Sequence, residues 1–85
     1  MHYIYKTKGT CSSQIEFDIN GGVVTNTSFR GGCNGNLQGI GKLIDGMKAQ
    51  DIIAKCAGIK CGWKSTSCPD QLAIAITQAL SEENK

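Results

Sequence analysis

The sequence predicts an α+β domain: an antiparallel three-stranded sheet, then three helices packed on one of its faces, in the order β-β-β-α-α-α. Three observations predict it. "SSQIEFDI", residues 12–19, alternates polar and apolar side chains over a strand's length. "NGG", residues 20–22, follows at once as a hairpin signal, because Asn and Gly tolerate the positive φ of tight reversals. From Leu37 onward the apolar residues change to helical spacing.

The elements follow in order. "HYIYK" is a short alternating strand with Tyr3 and Tyr5 on one face. In the second strand Ile15, Phe17 and Ile19 point one way and Gln14, Glu16 and Asp18 the other. "VVTNTSF" returns as its β-branched partner and ends near Phe29. At "RGGCNGN" the pattern breaks, and Leu37, Ile40, Leu43 and Ile44 then mark a helix stopped by Gly46. Gly39 and Gly41 each weaken that helix by about 1 kcal/mol relative to Ala, which close packing against the sheet would justify. A second helix, about Ala49 to Ala57, turns Ile52, Ile53 and Cys56 inward and ends at Gly58. The third starts after Cys68 and runs to about Leu80, with Leu72, Ile76, Ala79 and Leu80 as its buried stripe and "SEENK" frayed beyond. No linker interrupts the series, so residues 1–85 form a single domain.

Composition excludes several functions. Apolar content of 40% with 19% charged residues fits a folded globular chain. A formal charge of +2 without a dense Lys/Arg stripe gives no basis for nucleic-acid binding. No apolar run is long enough to span a bilayer, and the N-terminus has no signal-like apolar stretch, so the expected address is cytoplasmic. "GGCNGN" lacks the Lys-Ser/Thr pair of a phosphate loop. His2, the only histidine, reads as a surface side chain.

The chemistry lies in the five cysteines. In a reducing compartment, clustered thiols point to metal binding or redox work rather than structural disulfides. Cys11, Cys33, Cys61 and Cys68 fall at element boundaries, the first three near turn glycines, and loops at one end of a sheet can converge. Four such thiolates suit zinc or an iron–sulfur cluster, with zinc placed ahead as a structural ion in so small a domain. The spacing contains no C-x-x-C knuckle. Cys56 lies on the apolar face of its helix and reads as core. Cys68 precedes Pro69 and is the expected N-cap, where backbone N–H groups and the helix dipole favour the thiolate. A thiol-redox pair of Cys61 and Cys68 is the alternative. Trp63, inside the same loop, is a candidate shield for the site.

"GTCSSQIEF", "FRGGCNGN", "GIGKLIDGM" and "GIKCGWKSTSCPDQLAIAI" together resemble the TSCPD domain, named for the motif at Thr66–Asp70, from Cys11 to Leu80. The chain looks like the small stand-alone four-cysteine form. A related domain ends adenosylcobalamin-dependent ribonucleotide reductases. The resemblance implies Cys11, Cys33, Cys61 and Cys68 as the family's cysteines, and puts Cys56 where an aliphatic residue is expected. It also implies an accessory role, with a ribonucleotide reductase or an iron–sulfur pathway protein as partner, or a nucleotide-binding or docking module. Ribonucleotide reduction itself needs a large barrel that 85 residues cannot build. A second likeness is to U-type iron–sulfur scaffold proteins, whose three cysteines Cys11, Cys33 and Cys68 would match. The Asp after their first cysteine and the His before their last are missing here, so that likeness bears on fold more than on cluster building.

Overall fold

The computed structural model describes residues 1–84. Strands β1 (His2–Lys6), β2 (Ser12–Asn20) and β3 (Val23–Gly31) are followed by α1 (Asn34–Ile44), β4 (Met47–Lys48), α2 (Ala49–Cys56) and α3 (Cys68–Glu83). The sheet is four-stranded and antiparallel, in the order β1-β2-β3-β4. This corrects both the expected three-stranded sheet and the expected β-β-β-α-α-α order. The fourth strand escapes a periodicity reading because two residues carry no period. Gly46, at φ +83°, turns the chain back after α1. Its N–H then donates to the Val24 carbonyl at 2.8 Å, and Ala49 N–H to that of Gly22 at 2.7 Å.

The β2–β3 hairpin turns on Gly21 and Gly22, both at positive φ, as a two-residue loop between paired Asn20 and Val23 requires. Two bulges interrupt the pairing. At one, Asn26 takes φ +55°, held by N–H donation to Asp45 Oδ1 at 2.9 Å and by side-chain donation to Asp18 Oδ2 at 3.0 Å. The other falls between Ser12 and Gln14 and shapes the site described below.

Ile15, Phe17 and Ile19 of β2 and Val24 of β3 are fully buried against Ile52 of α2 and Leu72 and Ile76 of α3. The polar residues of β2 face the other side, where exposed His2 of β1 lies 2.7 Å from Asp18 and 3.2 Å from Glu16. α1 approaches β3 so closely at Gly41 that a Cβ there would lie 2.8 Å from the Thr27 carbonyl oxygen. Gly39 faces open space, and Leu43, expected in the buried stripe, is 81% exposed. α3 does not fray at Leu80. It continues to Glu83, whose carboxylate accepts N–H bonds from Gly21 and Gly22 and ties the helix end to the hairpin. Among the described residues no helix is long and apolar enough to cross a membrane.

Candidate functional site

The strand and helix directions bring four chain segments to one end of the sheet: the β1–β2 loop, the β3–α1 loop, the α2–α3 loop and the first turn of α3. Each carries one of the four boundary cysteines. Cys11, Cys33, Cys61 and Cys68 all line a single pocket of about 210 Å³, together with Thr10, Leu37, Ile40 and Lys64. A larger cleft of about 560 Å³ runs between α1 and β3, but its lining holds no thiol and no cluster of catalytic groups. The chemistry gathers in the smaller pocket.

Glycines set the approach of these loops. Gly31 and Gly32 both take positive φ, and a Cβ at Gly32 would lie 3.2 Å from Ser12 N and 2.9 Å from Leu37 Cδ1. The loop bearing Cys33 therefore packs directly on the Cys11–Ser12 peptide. Gly9 plays the same part toward the α2–α3 loop, since its Cβ would meet Thr66 Cγ2 at 3.2 Å.

The segment Thr66–Asp70 is a clamp in which each residue has its own task. Ser67, and not Cys68, is the N-cap of α3: its hydroxyl accepts the Asp70 N–H at 3.1 Å and donates to the Ile59 carbonyl at 2.6 Å. Cys68 thus opens the first helical turn, so the helix starts one position earlier than the sequence reading expected, with Pro69 after it. A serine hydroxyl can accept from the helix and donate to the loop at once, which a thiolate cannot. Asp70 accepts from Thr66 Oγ1 at 2.5 Å and from Gly58 N–H at 2.7 Å. The Thr66 hydroxyl, then the Gly58 N–H, hold its carboxyl below the usual range. Gln71 donates to Thr66 and accepts from Tyr5 and from the Lys8 N–H, so the β1–β2 loop joins the same network.

Cys68 is the buried thiol of the four, at 8% exposure. Burial pushes its pKa up, but hydrogen bonds from the Ser12 hydroxyl, the Ser12 backbone, the Thr10 hydroxyl and the Cys11 thiol outweigh it and bring the pKa below the ordinary thiol value. The Ser12 oxygen lies 3.2 Å from the sulfur. Cys11, Cys33 and Cys61 are exposed, and all five cysteines are free thiols. The hydrogen bond that the structure gives the Cys68 sulfur is that of Ser12, while Cys11 and Cys61, the expected redox partner, line the same pocket. Among the described residues, no three His, Cys, Asp or Glu side chains stand close enough to form a ready metal cage. Cys56 is half-buried, packs against the core and has its pKa raised by burial. Trp63 shields nothing: it is 93% exposed.

Ser12 is the site residue that sequence alternation misses. Strict period-2 reading places Ser13 with Ile15 and Phe17 on the inner face and turns Ser12 outward. The bulge between Ser12 and Gln14 reverses that parity, so Ser12 is 3% exposed and Ser13 faces solvent.

Fold and pocket together define a small sheet-and-helix domain whose loops share one thiol site. The family model of the TSCPD domain matches residues 3–80, and the chain belongs to that family. No curated protein and no solved structure matches the chain.

Proposed function

We propose that the domain binds a soft metal centre through Cys11, Cys33, Cys61 and Cys68, with zinc ahead of an iron–sulfur cluster. The observation that carries this reading is the common pocket of about 210 Å³ that all four cysteines line, each from a different chain segment. The donor set suits the group, since four thiolates complete a tetrahedral zinc site and also hold clusters. The surroundings suit its charge. α1 and α3 both begin at this end, so their positive dipole ends face the thiolates, and Lys64 lines the pocket. Cys68 is the preorganised ligand, already biased toward thiolate. The three exposed cysteines close on the ion from their loops, and binding energy is thereby spent on ordering those loops. Zinc would supply a cross-link at the one end of the sheet where loops replace ladder hydrogen bonds.

Elemental analysis of anaerobically purified protein tests this. About one zinc per chain, displaced by thiol alkylation, is the expected result. Visible absorbance with iron and sulfide would reverse the order of the two candidates. Metal-free protein that takes up neither ion would end the proposal.

A second reading, thiol redox chemistry, draws on the pocket that Cys11 and Cys68 line together. It predicts a Cys11–Cys68 disulfide on mild oxidation, seen by peptide mapping. Either activity fits an accessory of a ribonucleotide reductase or an iron–sulfur pathway protein, a partnership that rests on the family relation alone.

A further inference from the structure

Charge is distributed very unevenly along the long axis of the sheet. Lys6, Lys8, Arg30, Lys55, Lys60 and Lys64, six of the nine Lys and Arg residues, lie at strand ends, helix ends or loops at the thiol end. All but Lys64 are exposed. Asp70 shares this end, where Thr66 and Gly58 engage it, and Glu16 lies mid-strand beside Arg30. Asp18, Asp45, Asp51, Glu82 and Glu83 belong to the opposite end, where they outnumber Lys42, Lys48 and the N-terminal ammonium. A net charge of only +2 conceals this polarity. Trp63 stands 93% exposed between Lys60 and Lys64, beside pocket-lining Cys61, with Ile59 44% exposed nearby.

We propose that the thiol end is a docking face for a partner protein that presents an acidic surface around its own thiol or soft-metal site. The basic rim supplies orientation and encounter rate, because a charge-polar molecule is steered end-on toward an anionic surface. Trp63 supplies the anchor, since large exposed aromatics at the centre of a patch carry much of an interface's energy. The choice of a protein over a nucleic acid rests on the proposed metal or thiol function of the pocket. A phosphate backbone has no use for exposed sulfur at the centre of the contact, and the acidic far end would repel a polyanion that wraps the molecule.

The test uses two dye-labelled peptides of equal length, one with glutamates and one with lysines flanking a Ser-x-x-Ser core, and a single-stranded oligothymidylate. Binding is read by dye anisotropy and by quenching of Trp63, the sole tryptophan. The glutamate peptide is expected to bind at least tenfold more tightly than the lysine peptide at low salt, with the difference vanishing at high salt. Lys8→Glu with Lys60→Glu is expected to lower that affinity at least fivefold, as is Trp63→Ala. Lys42→Glu with Lys48→Glu, at the far end, leaves it unchanged. Equal binding of both peptides, or indifference to Lys8→Glu with Lys60→Glu, overturns the proposal, as does tighter binding of the oligothymidylate than of the glutamate peptide. Serine cores carry no metal, so docking succeeds or fails here whether or not the four cysteines bind an ion.

Discussion

The hydroxyl oxygen of Ser12 lies 3.2 Å from the sulfur of Cys68, joining the first residue of β2 to the first turn of α3 across 56 positions of sequence. Both groups are buried, at 3% and 8% exposure, so the bond is shielded from competing water. It is one of the bonds that hold the Cys68 thiol below its ordinary pKa.

Ser12→Ala removes that hydroxyl and leaves Cys68 with burial as the dominant influence, so its pKa rises. A hydrogen bond to a charged group contributes about 1.5 kcal/mol, or roughly a tenfold change in an equilibrium. Alkylation of Cys68 in metal-free protein near neutral pH should therefore slow by about that factor, measured by peptide mass spectrometry. An unchanged rate would show that the Ser12 backbone and Thr10 suffice.

Cys68→Ser should lose the metal while keeping the helix, because the cap belongs to Ser67. Cys56→Ala supplies the contrast: a half-buried group is removed at a cost of about 1 kcal/mol or less, with metal content intact. Metal analysis and far-ultraviolet dichroism on both variants check this. Metal retained in Cys68→Ser and lost in Cys56→Ala would overturn the assignment of the thiols.

Asp70 titrates below its ordinary value through the Thr66 hydroxyl and the Gly58 N–H. A carboxyl depressed in the folded state contributes stability above its unfolded pKa of about 3.9, and that contribution is lost as pH falls through the folded value. Acidification should thus release the α2–α3 loop before the sheet. Asp70→Asn should remove this acid limb, seen as a smaller drop in urea midpoint between neutral and low pH. The exposed carboxylate keeps the effect small.

Two glycines of α1 should respond in opposite directions. Gly39→Ala faces open space and should stabilise the protein by up to about 1 kcal/mol. Gly41→Ala puts a methyl group 2.8 Å from the Thr27 carbonyl oxygen and should destabilise it by about 1 kcal/mol or more as α1 is pushed off β3. Urea denaturation of the pair decides it, and equal effects would refute the close approach.

The sequence by itself determined the elements whose periodicity is long: β2 from the Ile15–Phe17–Ile19 alternation, the Gly21–Gly22 turn, and α3 with its Leu72–Ile76–Ala79 stripe. It also separated Cys11, Cys33, Cys61 and Cys68 from Cys56, because thiols at element boundaries differ visibly from one on the apolar face of a helix. Tertiary structure decided the rest. β4 exists only because Gly46 returns two residues to the Val23–Val24 edge, and pairing of that kind has no local signature. Leu43 is exposed because α1 buries the face that carries Leu37, Gly41 and Ile44, with Gly41 set against the Thr27 carbonyl. The cap passed to Ser67, whose hydroxyl also donates to the Ile59 carbonyl of the preceding loop. Ser12 entered the site because a single bulge reversed the parity of β2. In each case the deciding contact is made with another element or loop, and local spacing carries no information about it.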